Sequence, residues 1–270
     1  MAIGPVLKYP GAKWSLAKWI IQYMPPHTTY LEPFFGSGAV FFNKKPSKVE
    51  TINDIDGKVV NLFRVIREQP EELARLIEFT PWARDEYYAS FERTGEPLED
   101  ARRFLVRCSQ AFGSRLGNNS GWKHSGKGDT NPILFWKRIP KSILAAAERL
   151  RQSQIENRPA EELISAYYST DVLIYADPPY LWSTRSDRVK GRKLYVYEMT
   201  NDDHIKLLEV LNNHPGPVLL SGYSSDLYKE RLKGWLKKSI RSLGEMGQFH
   251  EEVLWLNPVA ARNLDQLSLF

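Results

Sequence analysis

The sequence predicts an α/β fold interrupted by a helical insertion, and three observations support this prediction. Short apolar stretches followed by a turn and helical periodicity occur before residue 67 and again after residue 151, which is the rhythm of βα units. Between these positions the apolar residues have helical spacing. The length of 270 residues suits one large domain or two modest ones. We therefore expect residues 1–66 and 152–270 to form one discontinuous domain and residues 67–151 to form the insertion.

The predicted elements can be followed along the chain. The first βα units are TYLEPFFGSGAVFF and VETINDIDGKVVNLFRVI. After the insertion come QIENRPAEELISAY, TDVLIYADPPY, a helix-like NDDHIKLLEVLNNH and PGPVLLSGYSSDLYKERLKGWL, and FHEEVLWLN is predicted to be the last strand. The insertion helices are predicted from EELARLIEF, DEYYASFER, EDARRFLVRCSQAF and SILAAAERLR, around the loop GSRLGNNSGWKHSGKGDTNP.

Composition excludes several classes of protein. The chain has 42% hydrophobic and 26% charged residues, and none of its apolar runs approaches the length of about 18 residues that a membrane helix needs. The N-terminal MAIGPVLKYPGAK lacks the pattern of a secretory signal, so we expect a cytoplasmic protein. The single cysteine, Cys108, excludes internal disulfides and a Cys-rich metal site. His124 has no other His or Cys at ligand spacing, so no metal is expected.

The positive charge is concentrated in the middle of the chain. The net charge is +5, but residues 101–155 carry 11 Lys and Arg against only Asp129 and Glu148. The segments on either side each hold two more acidic than basic residues. Such a block is typical of a segment that binds a polyanion. The alternative is an ordinary solvated helix face.

The sequence Asp177-Pro178-Pro179-Tyr180 follows the strand-like VLIYA. Ligands of open α/β sheets bind at the carboxyl ends of strands. Because prolines lack amide donors, the Asp177 side chain and the Pro178 carbonyl are left to accept both hydrogens of an exocyclic amine. The Tyr180 ring offers a flat face for a planar base. The alternative is a structural proline turn with Tyr180 packed on the surface.

A second motif, Glu32-Pro33-Phe34-Phe35-Gly36-Ser37-Gly38, lies between a short strand and the start of an apolar helix. Two glycines at a βα turn let the backbone approach a cofactor closely, although a lone G-x-G is also found in simple tight turns. Asp54 lies 18 residues beyond Gly36, where nucleotide-binding folds hold ribose hydroxyls. Asp54 is alternatively the N-cap of the next helix, and Asp56 and Asn53 compete for either role.

A third motif, Lys8-Tyr9-Pro10-Gly11-Ala12-Lys13, precedes the amphipathic SLAKWIIQYM. Taken alone, it is interpreted as a flexible basic start with a helix N-cap at Ser15.

The order KYPGAK, EPFFGSG, NDID, helical insertion and DPPY resembles the Dam-type DNA adenine methyltransferases over nearly the whole chain, and SGYSSDLY and EEVLWLN extend the resemblance. It implies a Rossmann-like seven-stranded methyltransferase sheet with an antiparallel strand, and S-adenosyl-L-methionine as the methyl donor. The insertion would be the target-recognition domain for double-stranded DNA. The implied reaction is transfer of a methyl group to the N6 amine of an adenine flipped out of the duplex.

The resemblance also implies roles for individual residues. The cofactor would be bound by Tyr9, Gly11, Lys13, Phe34, Gly36, Gly38, Asp54 and Asp177. The catalytic residues would be Asp177, Pro178, Pro179 and Tyr180. Candidates for contacts with DNA are Lys13, Arg115, Asn118, Asn119, Trp122, Lys123, His124, Lys127, Lys137 and Arg138.

This sequence departs from the family pattern at three places. Ala12 stands where a second glycine is common. Asn157-Arg158-Pro159 lies where many methyltransferases have an acidic residue facing the cofactor adenine. The loop at 113–130 does not match the version associated with GATC sites, so the resemblance leaves the target sequence open. Restriction-modification and solitary methylation are both compatible with the sequence.

The C-terminal Gln266-Leu267-Ser268-Leu269-Phe270 is similar to the peptides by which bacterial replication and repair proteins bind the sliding clamp. Leu267, Leu269 and Phe270 would anchor in an apolar pocket, with Gln266 at its rim. The alternative is a tail folded onto its own domain. The protein is otherwise expected to be a monomer.

Two other functions remain open at this stage. One is an amino-group methyltransferase that acts on RNA or on a protein glutamine, since both present a planar NH₂ group. The other is a DNA-binding relative that has lost catalysis. Asp at 177 and the basic insertion argue against the first, and the intact motifs argue against the second.

Overall fold

A central seven-stranded mixed sheet organises the protein, which was analysed as a computed structural model describing residues 3–112, 121–124, 131–184, 194–243 and 249–267. The strand order is β3-β2-β1-β4-β5-β7-β6. The first five strands run parallel, and β7 is antiparallel to both of its neighbours. The strands are β1 (Thr29–Glu32), β2 (Val49–Asn53), β3 (Ser153–Glu156), β4 (Val172–Ala176), β5 (Val218–Gly222), β6 (Leu236–Leu243) and β7 (Phe249–Leu256).

Helices cover both faces of this sheet. In the first part of the described chain they are α1 (Ala17–Ile21), α2 (Ala39–Asn43), α3 (Gly57–Glu68), α4 (Pro70–Phe79), α5 (Arg84–Ala89), α6 (Pro97–Gln110), α7 (Ile133–Trp136) and α8 (Ile139–Leu150). In the second part they are α9 (Ala160–Ala166), α10 (Asn201–Asn213), α11 (Asp226–Arg231) and α12 (Pro258–Leu267), with a short 3₁₀ turn at Trp182–Thr184.

The central strand β4 shows why the sheet is covered on both sides. All five residues of VLIYA are buried, as expected for a parallel strand between two helical layers. Because side chains alternate along a strand, Leu173 and Tyr175 enter one apolar core, while Ile174 and Ala176 enter the other. The predicted α/β fold with a seven-stranded sheet and an antiparallel strand is therefore confirmed.

The described part of the predicted insertion contains α4 to α8. Leu73 of α4, Phe104 of α6 and Ile143 of α8 belong to the same apolar core as Leu173 of the sheet. These helices therefore continue the layer begun by α3. The division of the chain into 1–66 plus 152–270 and 67–151 stays a prediction.

A buried ion-pair group joins this helical layer to the sheet. Glu50 of β2 has 1% of its side chain exposed, and Arg149 of α8 donates to its Oε1 at 2.8 Å. Lys44, which follows α2, also pairs with Glu50. Burial alone would raise the pKa of Glu50, but hydrogen bonds from Arg149 and Lys44 lower it.

Two local expectations were wrong or incomplete. The first helix begins at Ala17 with Leu16 at the N-cap, and no side chain caps it, so Ser15 does not have that role. Strand β6 was not predicted, because the alternation in LKKSIRSL is strongly polar and resembles a loop. It pairs only with β7 at the edge of the sheet, where a row of Lys and Arg side chains is common.

Candidate active site

A cavity of about 280 Å³ lies where β1, β2 and β4 end. Its walls come from the N-terminal loop, the segments that follow these strands, the start of α9 and residues 195–203. Carboxyl ends of parallel strands meet at one edge of the sheet, which is where such folds bind ligands. The predicted residues that line the cavity are Tyr9, Gly11, Lys13, Phe34, Gly36, Asp54, Asp177 and Pro179.

Asp177 and Lys13 form an ion pair inside this cavity. Lys13 Nζ lies 3.1 Å from Asp177 Oδ1 and donates to the Gly11 carbonyl at 2.8 Å, with only 5% of the Lys13 side chain exposed. Burial raises the pKa of Asp177, the Lys13 charge opposes this, and the nearby Glu252 adds to it. The ammonium group therefore favours the ionised carboxylate at the end of β4.

Tyr180 is half-buried and is not among the residues that line the cavity, and its neighbours hold its ring in place. Its hydroxyl donates to Glu252 Oε2 at 2.9 Å, and its ring forms an edge-to-face pair with Tyr223 at a centroid distance of 4.6 Å. Lys13 Nζ lies 4.7 Å from the ring centroid. Pro178 is buried. The ring orientation is thus fixed by neighbours on three separate parts of the chain.

Asp54 links the first two motifs. Its Oδ2 accepts from the Gly36 amide at 2.8 Å, and its Oδ1 accepts from the Asp56 amide at 2.9 Å. Burial raises the pKa of Asp54 to about 7, although these amide donors lower it. Gly36 has φ +49°, and a Cβ there would lie 3.1 Å from the Tyr9 ring. The loop therefore requires glycine at this position.

The competition for the N-cap of α3 is settled in favour of Asp56. Its Oδ1 accepts from the Lys58 amide at 3.0 Å, so Asp54 is not the cap. Asp56 also lines the cavity, and its Oδ2 is buried without a hydrogen-bond partner among the described residues. A buried acceptor of this kind requires a donor, and a sugar hydroxyl bound in the cavity would supply one.

The side chains of Asn53 and Asn157 form hydrogen bonds with the backbone of neighbouring loops. These groups are therefore occupied within the protein. Asn53 Nδ2 donates to the Pro33 carbonyl at 2.9 Å, and its Oδ1 accepts from the Arg158 amide at 2.9 Å. Asn157 Nδ2 donates to the Asp54 carbonyl at 2.7 Å. Glu161, one turn further on, lines the cavity and is the acidic side chain on this wall.

Gly38 was predicted to bind the cofactor, but it does not line the cavity. It is the N-cap of α2 with φ +67°, and it is absent from the cavity wall. A Cβ there would lie 2.5 Å from the Phe35 ring and 2.6 Å from the Phe42 ring. Gly38 is thus needed for packing α2 against its own turn.

Two parts of the cavity were missed from the sequence. Glu32 lies on the wall, where burial raises its pKa to about 8 and Tyr30 donates to it at 2.6 Å. Its position in the EPFFGSG motif was a signal, but only Phe34, Gly36 and Gly38 of that motif were considered. The other part is a segment whose Tyr195 hydroxyl donates to the Pro10 carbonyl at 3.2 Å. Its lining residues are Tyr195, Tyr197, Glu198, Met199 and Asp203.

The DNA-contact candidates are only partly described. Trp122 forms a bridge with Ala111, donates to Gln110 Oε1 at 3.0 Å and lies 4.9 Å from the guanidinium carbon of Arg84. Its ring stacks on His124 at 5.9 Å. Lys123 is half-buried, and three further candidates are exposed, namely His124, Lys137 and Arg138. Arg115, Asn118, Asn119 and Lys127 lie outside the described residues, as do Leu269 and Phe270.

Across the described ranges, no group of three or more His, Cys, Asp and Glu side chains is arranged to hold a metal ion. No helix among these residues combines the length and apolar character needed to cross a membrane.

The sheet order, the cavity at the strand ends and the Asp-Pro-Pro-Tyr segment beside it define a methyltransferase that uses S-adenosyl-L-methionine to modify an amino group. The chain belongs to the D12 class N6 adenine-specific DNA methyltransferase family, whose model matches residues 9–246. Its activity is therefore adenine-specific methylation of DNA.

Curated relatives agree with this assignment. The Type II methyltransferase M1.LlaDCHI of Lactococcus lactis subsp. cremoris is 27% identical over 249 residues, covering 85% of this chain and 84% of the relative. The DNA adenine methylase of Escherichia coli (strain K12) is 23% identical over 261 residues, covering 92% and 91%. Among solved structures, an rRNA methylase from Streptococcus thermophilus superposes with a TM-score of 0.39 at 8% identity, covering 90% of this chain and 94% of that chain.

Proposed function

We propose that this chain methylates the N6 amine of an adenine flipped out of duplex DNA at a specific sequence, with Asp177 as the central catalytic residue. The observation that carries this proposal is the Asp177–Lys13 ion pair, 3.1 Å long, in the same cavity as Gly36 and Asp54. The Asp177 carboxylate, which would accept the amine hydrogens, and the Gly36 turn, which would bind the cofactor, therefore line the same cavity.

The adenine amine is a poor nucleophile because its lone pair is delocalised into the ring. Hydrogen bonds from this amine to Asp177 and to the Pro178 carbonyl would localise the lone pair and orient it. Lys13 favours the ionised form of this carboxylate against the effect of burial. S-adenosyl-L-methionine, when bound, supplies an electrophilic methyl group on a sulfonium. Asp177 acts by orientation and charge, and no covalent bond to the enzyme is needed.

The cavity residues fit this cofactor. The Gly36 turn brings backbone close to the ligand, and Asp54 and Asp56 present carboxylates at the end of β2, where ribose hydroxyls are held in related folds. We assign the further contacts to Tyr9, Gly11, Lys13 and Phe34. Gly38 supports the turn from behind through its packing on Phe35.

A base must leave the duplex before it reaches this cavity, at a cost of a few kcal/mol. Stacking on Tyr180 would offset part of this cost, since its ring is already held by Glu252 and Tyr223. Residues 67–151 would form the target-recognition part, with Trp122, Lys123, His124, Lys137 and Arg138 among the residues that contact DNA. The loop residues outside the described ranges would complete this surface.

The test is transfer of a labelled methyl group to duplex DNA by the purified protein. Asp177→Ala should abolish transfer while leaving cofactor binding, measured by calorimetry, largely intact. Lys206→Gln, an exposed charge change on α10, is the matched control. Full activity of Asp177→Ala would overturn the mechanism. Equal transfer to RNA or to a protein glutamine would favour the alternative amino-group substrates, and cofactor binding without transfer would favour an inactive relative.

The biological setting is a separate part of the proposal. The similarity to a Type II methyltransferase supports a restriction-modification role, and the similarity to DNA adenine methylases supports solitary methylation. We propose action as a monomer on DNA in the bacterial cytoplasm, encoded by the cell or by a phage.

We also propose that the C-terminal QLSLF binds the bacterial sliding clamp. Gln266 and Leu267 form the end of α12, so the peptide would begin at a helix terminus. Deleting residues 266–270 should abolish binding to a purified clamp, measured by surface plasmon resonance, without changing methyl transfer to a short duplex. Equal binding of the deletion variant would contradict this proposal.

A further inference from the structure

A second cavity of about 280 Å³ lies outside the active site, and we call it the basic cleft. It is enclosed by the first two turns of α3, the segment at 90–97 that precedes α6, and one face of α6. Its charged lining residues are Lys58, Arg64, Arg93, Arg103 and Arg107, with Glu92 and Asp100. The cleft therefore has a clear excess of positive charge.

The two acids do not neutralise this excess. Asp100 accepts from the Thr94 amide at 2.8 Å and from the Gly95 amide at 3.3 Å, and it lies 4.0 Å from Arg93. Glu92 is 83% exposed and 4.0 Å from Arg103. Asp100 thus stabilises the turn beside the cleft, and Glu92 is largely in solvent.

Three cations are left without a carboxylate partner. Among the described residues, Lys58, Arg64 and Arg107 form no ion pair within 4.0 Å, whereas Arg103 pairs with Glu99 at 2.7 Å. Three such cations around one cavity repel one another, and an anion bound there would reduce this repulsion. Burial, followed by the charge of Arg107, lowers the pKa of Lys58.

The surroundings of Arg107 suit the binding of such an anion. Its guanidinium carbon lies 5.5 Å from the centroids of both the Phe91 and Phe104 rings. Its Nε is buried and has no hydrogen-bond partner among the described residues. The planar guanidinium, positioned by two aromatic rings and with an unsatisfied donor, matches the geometry that binds phosphate oxygens.

The basic cleft and the active-site cavity lie on either side of the start of α3. Asp56 lines the active-site cavity, while Gly57 and Lys58 line the cleft. The loop after β3 is shared in the same way, since Asn157 lines the cleft and Pro159 lines the active-site cavity. The cleft is therefore adjacent to the active-site cavity at the ends of β2 and β3.

We propose that the basic cleft binds a phosphate group, and that this phosphate belongs to the backbone of the DNA duplex being methylated. Arg107 and Lys58 would hold the phosphate oxygens, and Arg64 would contribute charge at the rim. The proposal rests on DNA being the substrate. A free phosphate-bearing molecule has the same chemistry, and the experiment separates the two sources.

The experiment compares Arg107→Gln and the double variant Lys58→Gln, Arg64→Gln with Arg75→Gln, an exposed cation on α4 outside the cleft. Binding of the full chain to a mixed-sequence duplex is measured between 50 and 300 mM salt. Both cleft variants should lose at least about threefold in affinity, and the slope of log K against log salt should fall by about 0.9, the value for one phosphate. Arg75→Gln should leave the slope unchanged. The double variant changes the half-buried Lys58 and the exposed Arg64 of α3 and leaves Arg107 in place, so it remains informative if Arg107→Gln fails to fold.

A second measurement, thermal stabilisation by inorganic phosphate and pyrophosphate, identifies the source. A salt slope that falls in the cleft variants and not in Arg75→Gln supports a DNA phosphate. Loss of stabilisation by pyrophosphate with an unchanged DNA slope supports a phosphate site but overturns its assignment to DNA. Cleft variants that match Arg75→Gln in both measurements overturn the site itself. Methyl transfer at saturating duplex is measured in parallel, so that failure of the methylation mechanism is distinguished from failure of the cleft.

Discussion

The ammonium group of Lys13 lies 3.1 Å from Asp177 Oδ1, so a residue near the N-terminus completes a site built at the end of β4. The two residues are 164 positions apart in the sequence. Burial favours the neutral form of Asp177 and Lys13 favours the charged form. The protonation of Asp177, the proposed catalytic residue, therefore depends on the position of the N-terminal loop that carries Lys13.

This relationship predicts the pH dependence of a Lys13→Gln variant. Removing the positive charge leaves burial and Glu252 unopposed, so the pKa of Asp177 should rise further. Because the proposed mechanism uses the ionised carboxylate, the acid limb of kcat should move to higher pH by about one unit or more. The measurement is methyl transfer at saturating DNA and cofactor between pH 5 and 9. Lys13→Arg keeps the charge and should leave the limb close to its original position. An unchanged limb in Lys13→Gln would show that the ion pair does not control Asp177.

A second prediction concerns Asp54, whose burial raises its pKa to about 7. An ionised carboxylate accepts from ribose hydroxyls more strongly than a neutral carboxyl does, so cofactor affinity should fall as the pH drops through about 7. Calorimetric titration between pH 5.5 and 8.5 checks this. Asp54→Asn should bind about tenfold more weakly at pH 8 and lose that pH dependence.

Glu32 serves as the control for Asp54, since its pKa is raised to about 8 in the same cavity. Glu32→Gln should retain the loss of affinity below about pH 7. If the pH dependence disappears in Glu32→Gln and persists in Asp54→Asn, the assignment to Asp54 is wrong.

A third prediction concerns Glu252, which accepts from Tyr180 at 2.9 Å. Glu252→Ala removes the acceptor, and the Tyr180 ring should lose its fixed orientation, raising KM for DNA by about five- to tenfold. Glu252→Gln keeps an acceptor and should largely restore KM. Both variants remove a negative charge that raises the pKa of Asp177, so both should move the acid limb of kcat to lower pH. Steady-state kinetics and the fluorescence of 2-aminopurine at the target position report these effects. Equal KM values for the two variants would argue against an orienting role.

A fourth prediction tests the exposed cations of the predicted insertion. Changing Lys137 and Arg138 together to Gln should weaken duplex binding and reduce the salt slope by about two, if each contacts a phosphate. Fluorescence anisotropy at several salt concentrations measures both quantities. Lys206→Gln, on the exposed face of α10, should bind as the unchanged protein does. A slope unaffected in the double variant would place the DNA surface elsewhere.

The sequence was informative where the fold follows from local rules. The family resemblance placed Asp177 and Gly36 in one site, and the structure gives the physical reason, since both follow parallel strands that end at one edge of the sheet. The choice between Asp54 and Asp56 could not be made from spacing, since it depends on which amide each carboxylate reaches. Tyr195 was missed because spacing does not show where a loop folds back to meet Pro10. Gly38 was predicted to bind the cofactor, but it is needed for packing against Phe35 and Phe42. In the sequence, a glycine needed for packing looks the same as one that lets the backbone approach a ligand.

The ion-pair group around Glu50 has a mechanical consequence. Arg149, in the predicted insertion, and Lys44, which follows α2, share one carboxylate that has 1% of its side chain exposed. Separating such partners in a dry interior costs about 3–5 kcal/mol. A swing of α8 away from β2 would have to meet that cost each time DNA is engaged. We therefore expect the DNA to change conformation on binding, by bending and by extrusion of the base. The helical layer should keep its position against the sheet.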